Sequence, residues 1–217
     1  MGLVRFEATA VLFDIDGTLV DSTPVVERSW RAWAAERGLD ADAVLQVCHG
    51  RRTEDTVALF VSEAERAEAA ADLDRRELAD FDGIIALPGA RSLLSQLAHG
   101  QWAAVTSGSR PLMTARLSAA GLPVPDVLIS ATDVTVGKPD PQGYLKAAAA
   151  LGRQIGECLV IEDAPAGVAA AVNAGARVLA VSTTHAPHQL SPAAAVVPDL
   201  SFCSIEVTDR GLVLTTR

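Results

Sequence analysis

Two aspartates one residue apart, Asp14 and Asp16, end the apolar run Ala10–Phe13 and are followed by Gly17 and Thr18. The run reads as a buried strand of a parallel sheet. Carboxylates at the end of such a strand are costly to desolvate, so they need a cation, hydrogen bonds or a chemical role. In open α/β sheets the carboxyl ends of the strands are also where ligands bind. Three later stretches bring reactive groups to comparable places: Ser107 after the apolar segment 101–105, Lys138 between Gly137 and Pro139, and Glu162-Asp163 after 158–161. Carboxylates gathered this closely repel one another, and a hard divalent cation such as Mg2+, which takes oxygen ligands, reconciles them. The rest suits a phosphoryl group. A hydroxyl and backbone N–H groups can cradle its oxygens, and an ammonium can offset its charge. One carboxylate can then attack phosphorus while another handles the leaving-group proton.

These groups need a scaffold, and the punctuation of the chain predicts one. A helix is expected over 24–37, with Pro24 in its first turn and Gly38 after its end, and a shorter one over 39–47. The segment 48–55 reads as a loop entering a third helix that continues over 56–60, and 63–81 as one long charged helix or a pair. No strand is evident from Pro24 to about Gly83. The expectation is therefore a helical cap at 21–84 inserted into a core of 1–20 and 85–217. Beyond it, strands at 101–105, 127–129, 158–161 and 177–181 alternate with helices at 90–99, 111–120, 142–151 and 168–174. The fold class expected is α/β, a Rossmann-like doubly wound parallel sheet with an inserted helical domain. Segments 205–207 and 212–214, around Asp209-Arg210-Gly211, read as a hairpin. No functional signature stands out after Ser182.

Composition narrows the partners. The chain has 217 residues and a formal net charge of −9, with no basic stripe to meet a phosphate backbone or an anionic bilayer. Nucleic acid and membrane are therefore not expected, whereas a small anionic molecule needs only a local positive site. Three scattered cysteines, Cys48, Cys158 and Cys203, look like reduced thiols, and no apolar stretch near the start is long enough for export. A cytoplasmic enzyme, monomeric or weakly dimeric, is the expectation. Of the 18 basic side chains only Lys138 and Lys146 are lysine. Lysine in an arginine-rich chain marks a place where a compact point charge is wanted rather than a planar fork.

Taken in order, Asp14-Ile-Asp-Gly-Thr-Leu-Val, Ser107, Gly137-Lys-Pro and Glu162-Asp163 resemble the four motifs of the haloacid dehalogenase superfamily. Its phosphatases use an aspartate nucleophile beneath a helical cap inserted after the first strand. Cys48-His-Gly-Arg-Arg-Thr-Glu-Asp-Thr, Val105-Thr-Ser-Gly-Ser and Ile161-Glu-Asp-Ala-Pro-Ala-Gly are similar to the small sugar-phosphate and glycerol-phosphate phosphatases of that superfamily. The resemblance implies that Asp14 forms an aspartyl-phosphate and that Asp16 serves as general acid and then base. It implies Mg2+ on the Asp14 carboxylate, the Asp16 carbonyl and Asp163, with Glu162 a weak ligand or an orienter of water. It also implies phosphate oxygens on Ser107 and the Gly108 amide, and Lys138 paired with nucleophile and phosphate. Thr106 is a one-residue register alternative to Ser107. His49, Gly50, Arg51 and Arg52, in the cap loop, are expected to meet the remainder of a phosphorylated sugar or polyol.

Structural readings stand beside these. Asp21 and Ser22 suit a helix start better than catalysis, Ser107 could merely begin a helix, and Asp163 could cap one. A β-phosphoglucomutase-like phosphomutase shares the core motifs, but such mutases carry a histidine on the first cap helix where this chain has Pro24-Val-Val-Glu-Arg. A non-catalytic phosphate-binding regulator would not need the full set of acid, nucleophile, lysine and metal carboxylates.

Overall fold

The computed structural model describes residues 3–209 and 211–217. The chain runs β1 (Arg5–Ala8), β2 (Ala10–Phe13), β3 (Val20–Asp21), α1 (Thr23–Glu36), α2 (Ala41–Cys48), α3 (Thr53–Val57), α4 (Arg66–Ala79), β4 (Ile85–Ala86) and α5 (Ala90–Leu94). It continues through β5 (Trp102–Val105), α6 (Arg110–Ala119), β6 (Leu128–Ile129), α7 (Gln142–Ala150), β7 (Cys158–Glu162), α8 (Pro165–Ala174), β8 (Arg177–Val181), β9 (Ala195–Val197), β10 (Cys203–Thr208) and β11 (Gly211–Thr216).

Six strands form one parallel sheet in the order β6-β5-β2-β7-β8-β9. Counted by appearance within the sheet this is 3-2-1-4-5-6, the doubly wound order, with β2 at the point where the winding reverses. The side chains of β2 alternate between two apolar layers, as a strand's must. Val11 and Phe13 pack with Leu93, Leu112, Met113 and Leu117 of α5 and α6 on one face. Ala10 and Leu12 pack with Tyr144, Ala147, Val168 and Ala171 of α7 and α8 on the other. All four β2 residues are fully buried, so its end is held rigidly on both sides. Each large buried side chain of this kind contributes about 1.5–3 kcal/mol by leaving water.

Helices α1 to α4 lie between β3 and β4, which pair antiparallel as Val20–Ala86 and Asp21–Ile85. The helices have a core of their own in which Trp30 and Trp33 meet edge to face and Val44, Val57, Ala69 and Leu73 surround them. Asp21 accepts a hydrogen bond from the Thr23 amide at 3.0 Å, so it starts α1, as its position suggested. The expected cap is thus present as four helices, the last entered through a short 3-10 turn at Glu63–Glu65.

Some elements differ from expectation. β1, β3, β4 and β9 are additional strands: β1 pairs antiparallel with β11, β3 with β4, and β9 extends the parallel sheet beside β8. The partner of β1 lies some 200 residues away, a non-local pairing that no local pattern reveals. The expected tail hairpin is present as β10 and β11, while Arg210 in its turn falls outside the described residues. α5 is half the expected length: after Ser95 the ladder tightens, with the Gln96 amide donating to the Leu93 carbonyl at 3.2 Å and the Leu97 amide to the Leu94 carbonyl at 3.1 Å, and the Ala98 amide then bonds the Gln101 side chain.

Candidate active site

The carboxyl ends of β2 and β7 are adjacent, and the sequence places Asp14 after one and Glu162-Asp163 at the other. One carboxylate oxygen from each of Asp14, Glu162 and Asp163 lies within 4.8 Å of the others, and all three residues are buried. Lys138, arriving from the loop before α7, sets its ammonium 2.5 Å from Asp14 Oδ1 and 2.6 Å from Glu162 Oε1. Close approach is possible because two positions lack a Cβ. A side chain at Gly17, where φ is +85°, would collide with the Asp163 carboxylate, and one at Gly167 would collide with that of Glu162.

Electrostatics of the cluster follow from its burial. Desolvation pushes the Asp14 carboxyl well above the usual range; Lys138 opposes this, and Glu162 and Asp163 add to it. Asp163 is raised to about 7, first by burial and then by Glu162, although hydroxyls and Lys138 pull the other way. Burial works against the Lys138 ammonium, yet Asp14 and Glu162 outweigh it and hold its pKa well above the ordinary lysine value. Three carboxylates share one ammonium, and that excess of negative charge is what a divalent cation would neutralise; the oxygen donor set fits a hard ion. Within it Glu162 is the most fully engaged. Its Oε1 accepts from Lys138 and from the Tyr144 hydroxyl, and its Oε2 from the Asp163 and Ala164 amides. Such a carboxylate suits the supporting position more than a direct ligand's.

Asp14, Asp16, Ser107, Gly108, Asp163, His49, Gly50 and Arg51 all line one cavity between sheet and cap. The Ser107 hydroxyl donates to the Gly50 carbonyl at 3.0 Å, bridging core and cap loop. Thr106 is buried with its hydroxyl turned onto the Gly108 amide at 3.1 Å, so of the two registers it is Ser107 that reaches across the cavity. Arg52, expected beside the ligand, is not among the residues lining that cavity; it lines a neighbouring cleft with Ser107 and Lys138. Its guanidinium forks onto Asp55 at 2.8 Å through both Nε and Nη2. Burial and nearby His185 hold His49 below the ordinary histidine value.

Five further residues belong to the site. Thr18 donates to Asp163 Oδ1 at 3.2 Å, and Thr184 donates to Asp163 Oδ2, which gives the segment after Ser182 a role that its sequence did not suggest. Tyr144 holds Glu162 from the α7 side at 3.0 Å. Arg116 of α6 is only 3% exposed, and donates to Asp16 Oδ2 at 2.7 Å and to Glu77 Oε2 of α4 at 3.1 Å. The signal for this last pair was readable. Arg116 falls among Leu112, Met113 and Leu117, and Glu77 four residues after Leu73, so each charge occupies a slot on the buried stripe of its helix.

Burial raises Glu77 to about 7; Arg116 opposes the shift, while Asp16 and Asp74 reinforce it, and Cys48 and Trp30 are also close. A carboxyl whose folded value exceeds its unfolded one near 4.5 contributes stability below that unfolded value and loses it as pH climbs through about 7. Glu77→Gln should therefore flatten the profile: the fall in thermal midpoint between pH 5 and pH 8 should be smaller than in the unaltered protein by about 2–5 °C. Melting curves across that range check it, and parallel profiles would remove Glu77 as the titrating group.

Parallel sheet, inserted helical cap, and an acidic strand-end cluster pinned by lysine together define a capped α/β protein whose reactive groups gather at the carboxyl edge of its sheet. The chain belongs to the haloacid dehalogenase-like hydrolases, whose family model matches residues 8–175. It is 42% identical to hexitol phosphatase A of Escherichia coli (strain K12), over 94% of this chain and 96% of that one. It is 36% identical to glycerol-1-phosphate phosphohydrolase 2 of Saccharomyces cerevisiae, over 83% and 77% of the two chains. Among solved structures, a hydrolase from Pseudomonas syringae superposes with a TM-score of 0.80 at 27% identity, covering 89% of this chain and 94% of that one.

Proposed function

We propose that this hydrolase is a Mg2+-dependent phosphatase of small sugar or polyol phosphate monoesters, acting through an aspartyl-phosphate on Asp14. The observation that carries the reading is the Lys138 ammonium wedged between Glu162 and Asp14, the latter lining the cavity between sheet and cap. Relatives named for hexitol and glycerol-1-phosphate substrates support the polyol class.

An Asp14 oxygen attacks phosphorus, the ester P–O bond breaks, and its electron pair passes to the alcohol oxygen, which takes a proton from Asp16. Water then attacks the phosphorus, giving a proton to Asp16; the bond to Asp14 breaks and phosphate leaves. Lys138 fixes the nucleophile and offsets charge, while Ser107 exchanges its bond to Gly50, and the Gly108 amide its bond to Thr106, for phosphate oxygens. Asp14, the Asp16 carbonyl and Asp163 would hold the cation, which supplies positive charge against the phosphate oxygens when bound, with Glu162 supporting from behind. Residues 21–84 act as a cap over a core of 1–20 and 85–217, shielding the intermediate from stray water. His49, Gly50 and Arg51 meet the alcohol portion, and so few cap groups imply broad tolerance. The free thiols and acidic surface suit a cytoplasmic monomer or weak dimer. Among the described residues no helix is long and apolar enough to cross a membrane.

A mutase is disfavoured because the α1 residues lining the cavity, Thr23, Val26 and Trp30, include no histidine. Phosphate release should be measured over hexitol, glycerol, hexose and nucleoside monophosphates, with and without Mg2+. The expected result is Mg2+-dependent release from the polyol and sugar esters, and free phosphate rather than glucose 6-phosphate from glucose 1-phosphate. No release from any ester with Mg2+ present would overturn the reading.

A further inference from the structure

Asp16 is bound on one side only. Its Oδ2 accepts from Arg116 at 2.7 Å, whereas Oδ1 is shielded from solvent and has no hydrogen-bond partner among the described residues. Arg116 in turn spans two parts of the chain: it sits on α6 against the sheet, and its other terminal nitrogen reaches Glu77 on cap helix α4. Both Arg116 and Glu77 are buried, so the pair is not a screened surface contact. We propose that Arg116, completed by Glu77 of the cap, is a positioning residue that anchors the Asp16 carboxylate through Oδ2 and so sets where it exchanges a proton with the leaving alcohol.

The geometry explains why three groups are needed. A planar guanidinium can hold two carboxylates at once through separate N–H groups, which an ammonium does with less angular precision. Arg116 alone would leave an unbalanced positive charge against Asp16 and oppose the protonated acid that a departing alkoxide needs. Glu77 balances that charge. Because Glu77 belongs to the inserted helices and Asp16 to the core, the anchor is complete only with the cap seated, which ties acid placement to closure. Asp74, one turn before Glu77 on the same helix, adds negative charge to the same neighbourhood.

The inference rests on the phosphatase reading, and leaving-group dependence tests it. An alkyl leaving group needs a proton in the transition state, and p-nitrophenolate does not. In kcat/KM only the steps through alcohol departure count, so the later role of Asp16 as base drops out. Glu77→Gln and Arg116→Lys are assayed with Mg2+ on glycerol 1-phosphate and on p-nitrophenyl phosphate, using the same preparation so that the fraction folded cancels in the ratio. The expected outcome is a fall of about 10–100-fold on the alkyl ester, part of the contribution of a general acid, with the aryl ester within about threefold. Added to Asp16→Asn, Glu77→Gln should cost less than about twofold more on the alkyl ester. Equal losses on both esters, no loss on the alkyl ester, or full additivity with Asp16→Asn would overturn the positioning role while leaving the phosphatase intact. If the unaltered protein hydrolyses neither ester, the phosphatase reading falls and takes this inference with it.

Discussion

Asp14→Asn is expected to lower phosphate release from a polyol phosphate by about 10^4-fold or more, because it replaces the carboxylate to which the proposed mechanism assigns the attack on phosphorus. The fold should not suffer. Asp14, Glu162 and Asp163 crowd around one ammonium, and burial together with the other two carboxylates pushes the Asp14 carboxyl upward. A neutral amide of the same shape relieves that repulsion. In buffer free of divalent cations its thermal midpoint should match or exceed that of the unaltered protein, by about 0–5 °C. The combination of lost turnover and retained stability is the signature of a site that stores unfavourable electrostatics for a task. Phosphate assays and melting curves on one preparation measure both. Retained turnover would refute the nucleophile, and a marked loss of stability would show that Asp14 holds the cluster together instead.

The second large effect is expected at Lys138, and there both properties should fail together. Lys138→Met keeps the length of the side chain but leaves Asp14 and Glu162 facing each other without a counter-charge. Breaking a buried pair from one side costs about 3–5 kcal/mol, which for a chain of this size is a drop of roughly 10 °C in thermal midpoint. The deficit should deepen as pH rises. The stranded carboxylates have raised values in the folded state, so they contribute least where they must ionise, near and above neutrality. Mg2+ should recover part of the lost stability by binding only the folded form. Catalysis should fall by about 10^2–10^3-fold, as when a charge-stabilising donor is removed, and should not return with Mg2+. Melting curves at pH 6 and pH 8 with and without the ion, beside turnover, distinguish these terms. A variant as stable as the unaltered protein would mean that Lys138 is not the counter-charge of the cluster.

Chain order alone made much of this legible. Apolar runs ending in Asp14, Ser107 and Glu162-Asp163 announce strands whose carboxyl ends carry chemistry, since buried parallel strands are apolar throughout and polar groups can appear only where they stop. The long helical stretch between Asp21 and β4 announces an insertion, because helical periodicity is local. Lys138 stands out as one of two lysines among eighteen basic residues. The three-dimensional structure decided what depends on distant segments meeting. It alone brought Thr184 to Asp163 from beyond the 177–181 strand and paired β1 with β11. It alone joined Arg116 to both Asp16 and Glu77, across separations of 100 and 39 residues. A sequence fixes the period and type of its elements through local sterics and burial. The direction in which a charged side chain finally points is set by which opposite charge folding delivers to it.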